Sequence, residues 1–298
     1  MTRFAKSTVF PCIVFVLASS CAGGAAVNSS PIPAPSSPAA LPAGAEARRV
    51  SLPLRVMGAT WRVSSVARVK VTGGGVSGAA AEEQRIESRG LVSWTVERTS
   101  AGAIRASGQV DSFTVRTSFD AGKGAMLPTM PGLLLLDATL DSATVRVTTK
   151  PPLANECDRP EAGASAMARE LLVRIPNGIL VGERWRDSSV TLICRSGVPM
   201  TVHTTVTSTV ESVDEVVVVV RREMVSRFEG KSGSPFRSLE LSGTSTGAQR
   251  VEIGAQRGAV ERLEGTSTLT LQATERLSGA VPRVQQVTQR VEIRAERR

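Results

Sequence analysis

The sequence predicts a mainly β protein of the α+β class: two related, curved antiparallel β-sheet units, half-barrel-like, with one or two covering helices. Three observations carry that expectation. Apolar and polar residues alternate with a period of two over long stretches, small turn-forming residues recur at hairpin spacing, and only one segment has helical spacing. With 41% of its residues apolar and 21% charged, the 298-residue chain has the composition of a protein that buries a core.

In chain order, Arg3 and Lys6 form a basic start and Phe10 to Leu17 an apolar run interrupted by Pro11 and Cys12. The run is shorter than the roughly 20 residues that span a membrane, so residues 1–20 read as an export signal. Leu17-Ala18-Ser19-Ser20-Cys21 resembles the lipobox of bacterial lipoproteins, a resemblance that implies lipidation of Cys21 as the first mature residue. The family's Leu stands three residues before the Cys, where this chain has Ala18. The alternative is an ordinary secretory signal cut near Ala22 to Ala26. Residues 21–47, with Pro31, Pro33, Pro35, Pro38 and Pro42 among Ser and Ala, predict a disordered tether. Fully extended in polyproline form it reaches about 80 Å. By analogy with lipoprotein sorting, the absence of Asp after Cys21 favours the outer over the inner membrane.

Two segments match 124 residues apart: Gly58-Ala59-Thr60-Trp61-Arg62-Val63-Ser64-Ser65-Val66 and Gly182-Glu183-Arg184-Trp185-Arg186-Asp187-Ser188-Ser189-Val190. They divide the body into β-rich units 48–150 and 151–298, each opening on a turn, a Gly and a Trp in its first long strand. Period-two alternation is clearest in Met200–Val213, in Leu269, Leu271 and Ala273, and in Val287, Val291 and Ile293. Val216 to Val220 is continuously apolar and is expected near the sheet centre. A helix is expected over 158–174, because Asp158, Pro160 and Glu161 form a capping start and Ala164, Met167, Ala168, Leu171 and Leu172 follow helical spacing. Leu133 to Leu136 is a second covering element of unassigned type.

Cysteine use fits an exported protein. Cys12 leaves with the signal and Cys21 is the anchor, so Cys157 and Cys194 remain to form a disulfide, worth about 4 kcal/mol for a loop of nearly forty residues. It would staple the helix to a strand.

Long curved strands crossed by a few helices resemble the outer-membrane lipoprotein carrier architecture. More closely, Pro176 through Val181-Gly182-Glu183-Arg184-Trp185 resembles the Val-Gly-x-x-Trp opening of uncharacterised duplicated periplasmic lipoproteins. The first copy departs from it, with Met57 in place of the Val.

The chemistry available is narrow. One His, no Tyr and 3% aromatics exclude a multi-histidine metal site and extended base-stacking platforms, and no cofactor is expected. His203 falls on a Thr-rich strand face and reads as a surface residue. Gly243-Thr244-Ser245-Thr246-Gly247 has the spacing of a nucleophile elbow but lies between strand patterns, with its only His upstream. Glu82 with Glu83, Asp137 with Asp141, Gly73 to Gly75 and Gly230-Lys231-Ser232 read as solvated surface and turns. Trp61, Trp94 and Trp185 are either core anchors or the lining of an apolar ligand pocket. Net charge is +9, of which Arg3 and Lys6 supply two, leaving +7 carried almost wholly by Arg scattered along the strands. That scatter argues against nucleic acid and suits anionic lipid headgroups or polysaccharide. The expectation is a non-enzymatic, membrane-anchored, periplasm-facing lipoprotein that binds a lipid-like or apolar ligand. The alternative is a structural or protein-interaction component of the envelope.

Overall fold

The computed structural model describes residues 50–52, 55–73, 83–99, 103–119, 124–126, 133–140, 145–150, 160–176, 178–195, 198–234 and 237–298. The expected signal, the tether, Cys21, Cys157, Asp158, Glu82 and Asp141 lie outside these residues, as does the side chain of Cys194.

Twelve strands and one helix make up the described chain. The strands are β1 (Arg55–Gly73), β2 (Gln84–Arg98), β3 (Ile104–Phe119), β4 (Gly124–Met126), β5 (Leu134–Leu140) and β6 (Val145–Lys150). After α1 (Pro160–Arg169) come β7 (Arg184–Arg195), β8 (Val198–Val213), β9 (Val217–Ser234), β10 (Arg237–Gly254), β11 (Val260–Leu277) and β12 (Arg283–Arg297). All strands belong to one antiparallel sheet, ordered β6-β5-β3-β2-β1-β12-β11-β10-β9-β8-β7, with β4 alongside β3. It curls as a half-barrel. The expectation of two sheet units is therefore corrected to one continuous sheet. Pairing of β1 with β12, from Trp61 opposite Arg297 to Gly73 opposite Gln285, welds the two runs of strands together. The centre of the sheet is this pair, and the apolar Val216 to Val220 run lies in β9, near the β7 edge.

The strand faces follow the predicted alternation. In β8, Met200, Val202, Val206 and Val210 point inward and are buried while Thr201 and His203 point away. Outward positions carry ion pairs between residues two apart on one strand, such as Arg227 with Glu229 at 3.1 Å, and between strands, such as Lys231 with Glu240 at 2.7 Å. A lipid-facing barrel would carry an apolar band there. This outer face suits water.

What fills the half-barrel is α1 and the segment after it. Ala164, Met167 and Ala168 are buried against the sheet, and the small residues let the helix approach closely. The helix ends at Arg169 rather than at 174. A turn at Glu170 and Leu171, with the Leu171 and Leu172 N–H groups bonded to the Ala168 and Arg169 carbonyls, leads into a strap through Val173 and Ile175, and all four apolar residues are at most 4% exposed. Three consecutive apolar side chains cannot share one helical face, whereas an extended strand-like segment buries both of its sides. The strap is tied at its far end by Ile179, whose backbone exchanges two 3.0 Å hydrogen bonds with Val50. The second covering element, Leu133 to Leu136, is the start of β5 and part of the sheet itself.

Gly58 and Gly182, equivalent in the matched segments, both adopt left-handed conformations, with φ of +47° and +80° and open space where a Cβ would project. Three residues on, Trp61 and Trp185 face inward in the same phase, but in different surroundings. Trp61 lies on a central strand and is 2% exposed, whereas Trp185 lies on the edge strand β7 and is half-buried.

Candidate functional site

The two ends of the lumen differ in chemistry. Over β1–β3 and β5 it is apolar and closely packed. Trp61 donates its indole N–H to the Val260 carbonyl at 2.6 Å, and Trp94 donates to the Ala168 carbonyl at 3.0 Å. The Trp94 bond satisfies one of the carbonyls left over at the end of α1. Gly108 makes room for the Trp94 ring, since a Cβ there would stand 2.4 Å from Cε3.

Between the strap and β7–β10 the lining becomes polar and ionised. Arg174 on the strap donates to Asp187 of β7 at 2.6 Å, with both side chains about 15% exposed. Arg222 of β9 donates to the Gln249 carbonyl oxygen of β10 at 2.7 Å, and the Gln249 amide donates to Glu170 at 2.7 Å. Glu170 and Gln249 are each 4% exposed, so their hydrogen bonds replace water they have lost. Arg169, the last residue of α1, reaches Thr191 of β7 at 3.2 Å. Burial holds the Asp187 carboxyl above its ordinary range, opposed chiefly by its hydrogen bond from Arg174. Burial likewise lowers the Arg222 guanidinium, opposed by the charges of Glu170 and Asp187.

These groups surround a cavity of about 50 Å³, with Leu140, Leu172 and Val206 as its apolar wall and Ser189 and Thr204 as hydroxyls. Three arginines, Arg169, Arg174 and Arg222, face two carboxylates, Glu170 and Asp187. Guanidinium groups from the helix end, the strap and β9 thus meet carboxylates around one partly enclosed space, where charge-assisted hydrogen bonds are strong. Glu170 also borders a smaller void of about 10 Å³ beside Met224 and Val291. The edge strands β6 and β7 come near each other beside this region, and no pairing joins them among the described residues.

Among the described residues, the candidate site residue from the sequence that lies near this cluster is Trp185. Trp185 shares the inward face of β7 with Asp187; Trp61 and Trp94 are core. His203 is exposed on the outer face, opposite Val190 and Arg227. Ser245 is buried in mid-strand β10, so its glycine-flanked motif makes no strand-to-helix turn. Gly230-Lys231-Ser232 runs within β9 and Asp137 within β5. Among the described residues no group of three His, Cys, Asp or Glu converges as a metal site would need.

The cluster did carry a signal in the sequence. Arg222 shares parity with Val218, Val220 and Met224, and Gln249 with Val251 and Ile253, so each is a polar residue on the buried phase of its strand. Glu170 likewise precedes a run of apolar residues.

No protein-family model matches this chain, and no curated protein matches it. Among solved structures it is similar to OccK5 (OpdH) of Pseudomonas aeruginosa, with a TM-score of 0.25 and 5% identity over 81% of this chain and 98% of that one. A likeness at that level transfers neither fold nor function.

Proposed function

We propose that the protein is a non-enzymatic, envelope-anchored binding protein for a lipid-like ligand with an anionic head. The observation that supports it is the convergence of Arg169, Arg174 and Arg222 on a cavity that also has an apolar wall of Leu140, Leu172 and Val206. A head group would enter beside β6 and β7 and accept hydrogen bonds from Arg169, Arg174 and Arg222. Its chain would lie along Leu140, Leu172 and Val206, displacing part of the strap. The packed surroundings of Trp61 and Trp94 move the proposed site from the tryptophans to the arginines. The anchor at Cys21 and a periplasm-facing, outer-membrane location remain readings of the N-terminal sequence.

Native mass spectrometry of the full chain, extracted gently from a bacterial envelope, tests the proposal. The wild type should carry an acidic lipid that Arg174→Gln/Arg222→Gln loses. Recovery of both proteins without bound lipid would sink the idea.

A second reading, an interaction component of the envelope, draws on β7. Its twelve residues form an open sheet edge among the described residues, and Val190 on that strand is 58% exposed. Crosslinking in whole cells that captured no protein through β7 would count against it.

A further inference from the structure

On the side of the sheet away from the cavity, we propose that the outward face of β12, β1 and β2 binds a ligand carrying two or more phosphoryl groups. Antiparallel register sets Arg290 of β12 directly opposite Arg68 of β1, and Arg68 directly opposite Arg85 of β2. All three are exposed. Like charges placed directly opposite destabilise a sheet, so the row is unfavourable until an anion lies across it.

Internal compensation is small. Arg85 is paired with Glu87 of its own strand at 2.8 Å, whereas Arg68 and Arg290 have no carboxylate partner among the described residues. Glu87 and Glu292 stand one row along, on either side of Val66. Arg85 is the member of the row that also lines an adjoining groove of about 570 Å³ over β1–β3, together with Arg62, Arg89 and Arg298 and the hydroxyls of Ser64, Ser112 and Thr114. Glu87 is the one side-chain carboxylate on its walls, and it is shared between Arg85 and, at 3.9 Å, Arg89.

The ligand class follows from the donors. A guanidinium presents a planar fork that matches two phosphoryl oxygens, and with strands about 4.8 Å apart the three arginines extend over roughly 10 Å. That is longer than one phosphate and fits linked phosphoryl groups. The site is separate from the interior cavity and does not depend on it.

Calorimetric titration of the full chain in detergent with inorganic tripolyphosphate tests the assignment. The wild type should bind, and Arg68→Gln/Arg290→Gln should weaken binding at least about tenfold, the effect of losing charge-assisted contacts. Arg221→Gln/Arg227→Gln removes the same charge from the exposed face of β9 and should leave the affinity unchanged. The melting temperature of Arg68→Gln/Arg290→Gln should rise as like-charge opposition is relieved. Absence of wild-type binding, equal weakening by both double variants, equal binding of citrate, or a fall in that melting temperature would each overturn the proposal. Competition by phosphatidylglycerol vesicles, set against phosphatidylcholine vesicles, would assign the phosphoryl groups to lipid heads; its absence would assign them to a soluble ligand.

Discussion

The lumen over β1–β3 and the lumen over β7–β10 share one sheet and one filling segment, yet they are built on opposite principles. The first buries Trp61, Trp94, Phe113 and Met167 with both indole N–H groups satisfied by backbone carbonyls. Burial of that kind stabilises the fold without further conditions, at roughly 25 cal/mol per Å² of apolar surface. The second buries Glu170 and Gln249 and half-buries Arg174, Asp187 and Arg222, an arrangement that hydrophobic residues of similar volume would match or exceed in stability. A half-barrel able to fill one end with aromatic and aliphatic side chains did not need ionised groups at the other. The difference separates the end expected to hold the protein together from the end that carries the proposed site.

The sharpest test of the apolar side is Trp94→Ala, expected to lose about 3–5 kcal/mol in urea denaturation because it opens a void under α1 and leaves the Ala168 carbonyl with the Leu171 N–H as its remaining donor. A loss below about 1 kcal/mol would mean that this end is not the anchor of the fold. Gly108→Ala should be destabilising by about 1–3 kcal/mol through the opposite fault, pressing a methyl group into the Trp94 ring and the Ser93 carbonyl, 2.3 Å from the new Cβ.

On the polar side, Arg222→Met should cost about 1–3 kcal/mol by leaving Glu170 and Asp187 without a shared cation, and Glu170→Met/Gln249→Leu/Arg222→Met should recover most of it. Were the triple variant the less stable of the two, the contrast between the ends would be wrong. The same variant should lose any bound anionic lipid.

The pH response is a finer probe. Burial raises the folded-state pKa of Asp187 above its unfolded value, so the folded protein holds that proton more tightly. The contribution is present at acid pH and is lost as pH rises from the ordinary aspartate range through the raised value. Melting temperatures of the wild type relative to Asp187→Asn should therefore fall over that window. A rise instead would show that Arg174 outweighs burial. The smallest effect belongs to the outer face: Arg227→Gln, breaking an exposed pair with Glu229, should change stability by no more than about 0.5 kcal/mol.

Much of the strand content was legible because alternation is a local property: β8, β11 and β12 can be read residue by residue from Met200, Leu269 and Val287 onward. The beginning of α1 was legible from Pro160 and its alanines. Its end was not, since Leu171 and Leu172 satisfy helical spacing as well as they satisfy an extended strap, and only the closeness of the lumen walls decides between them. The candidate site was less legible still. Arg174, Asp187, Arg222 and Gln249 come from four separate elements, and although Arg222 and Gln249 break the apolar phase of their strands, nothing local shows that the four meet.

The sequence by itself determined that this is a mainly β chain with inward and outward strand faces, a turn and a glycine ahead of Trp61 and Trp185, and charge scattered along its strands. Those features depend on residue type and on a two-residue repeat, which neighbouring residues set. Only the tertiary structure decided that the strands form one sheet, that Arg290, Arg68 and Arg85 stand in a row, and that a buried network forms beside the strap. These depend on pairing between elements that are separate in the chain, most of all where Arg290 meets Arg68 across more than 200 residues, and a shift of two residues would keep every inward face inward while dissolving both clusters.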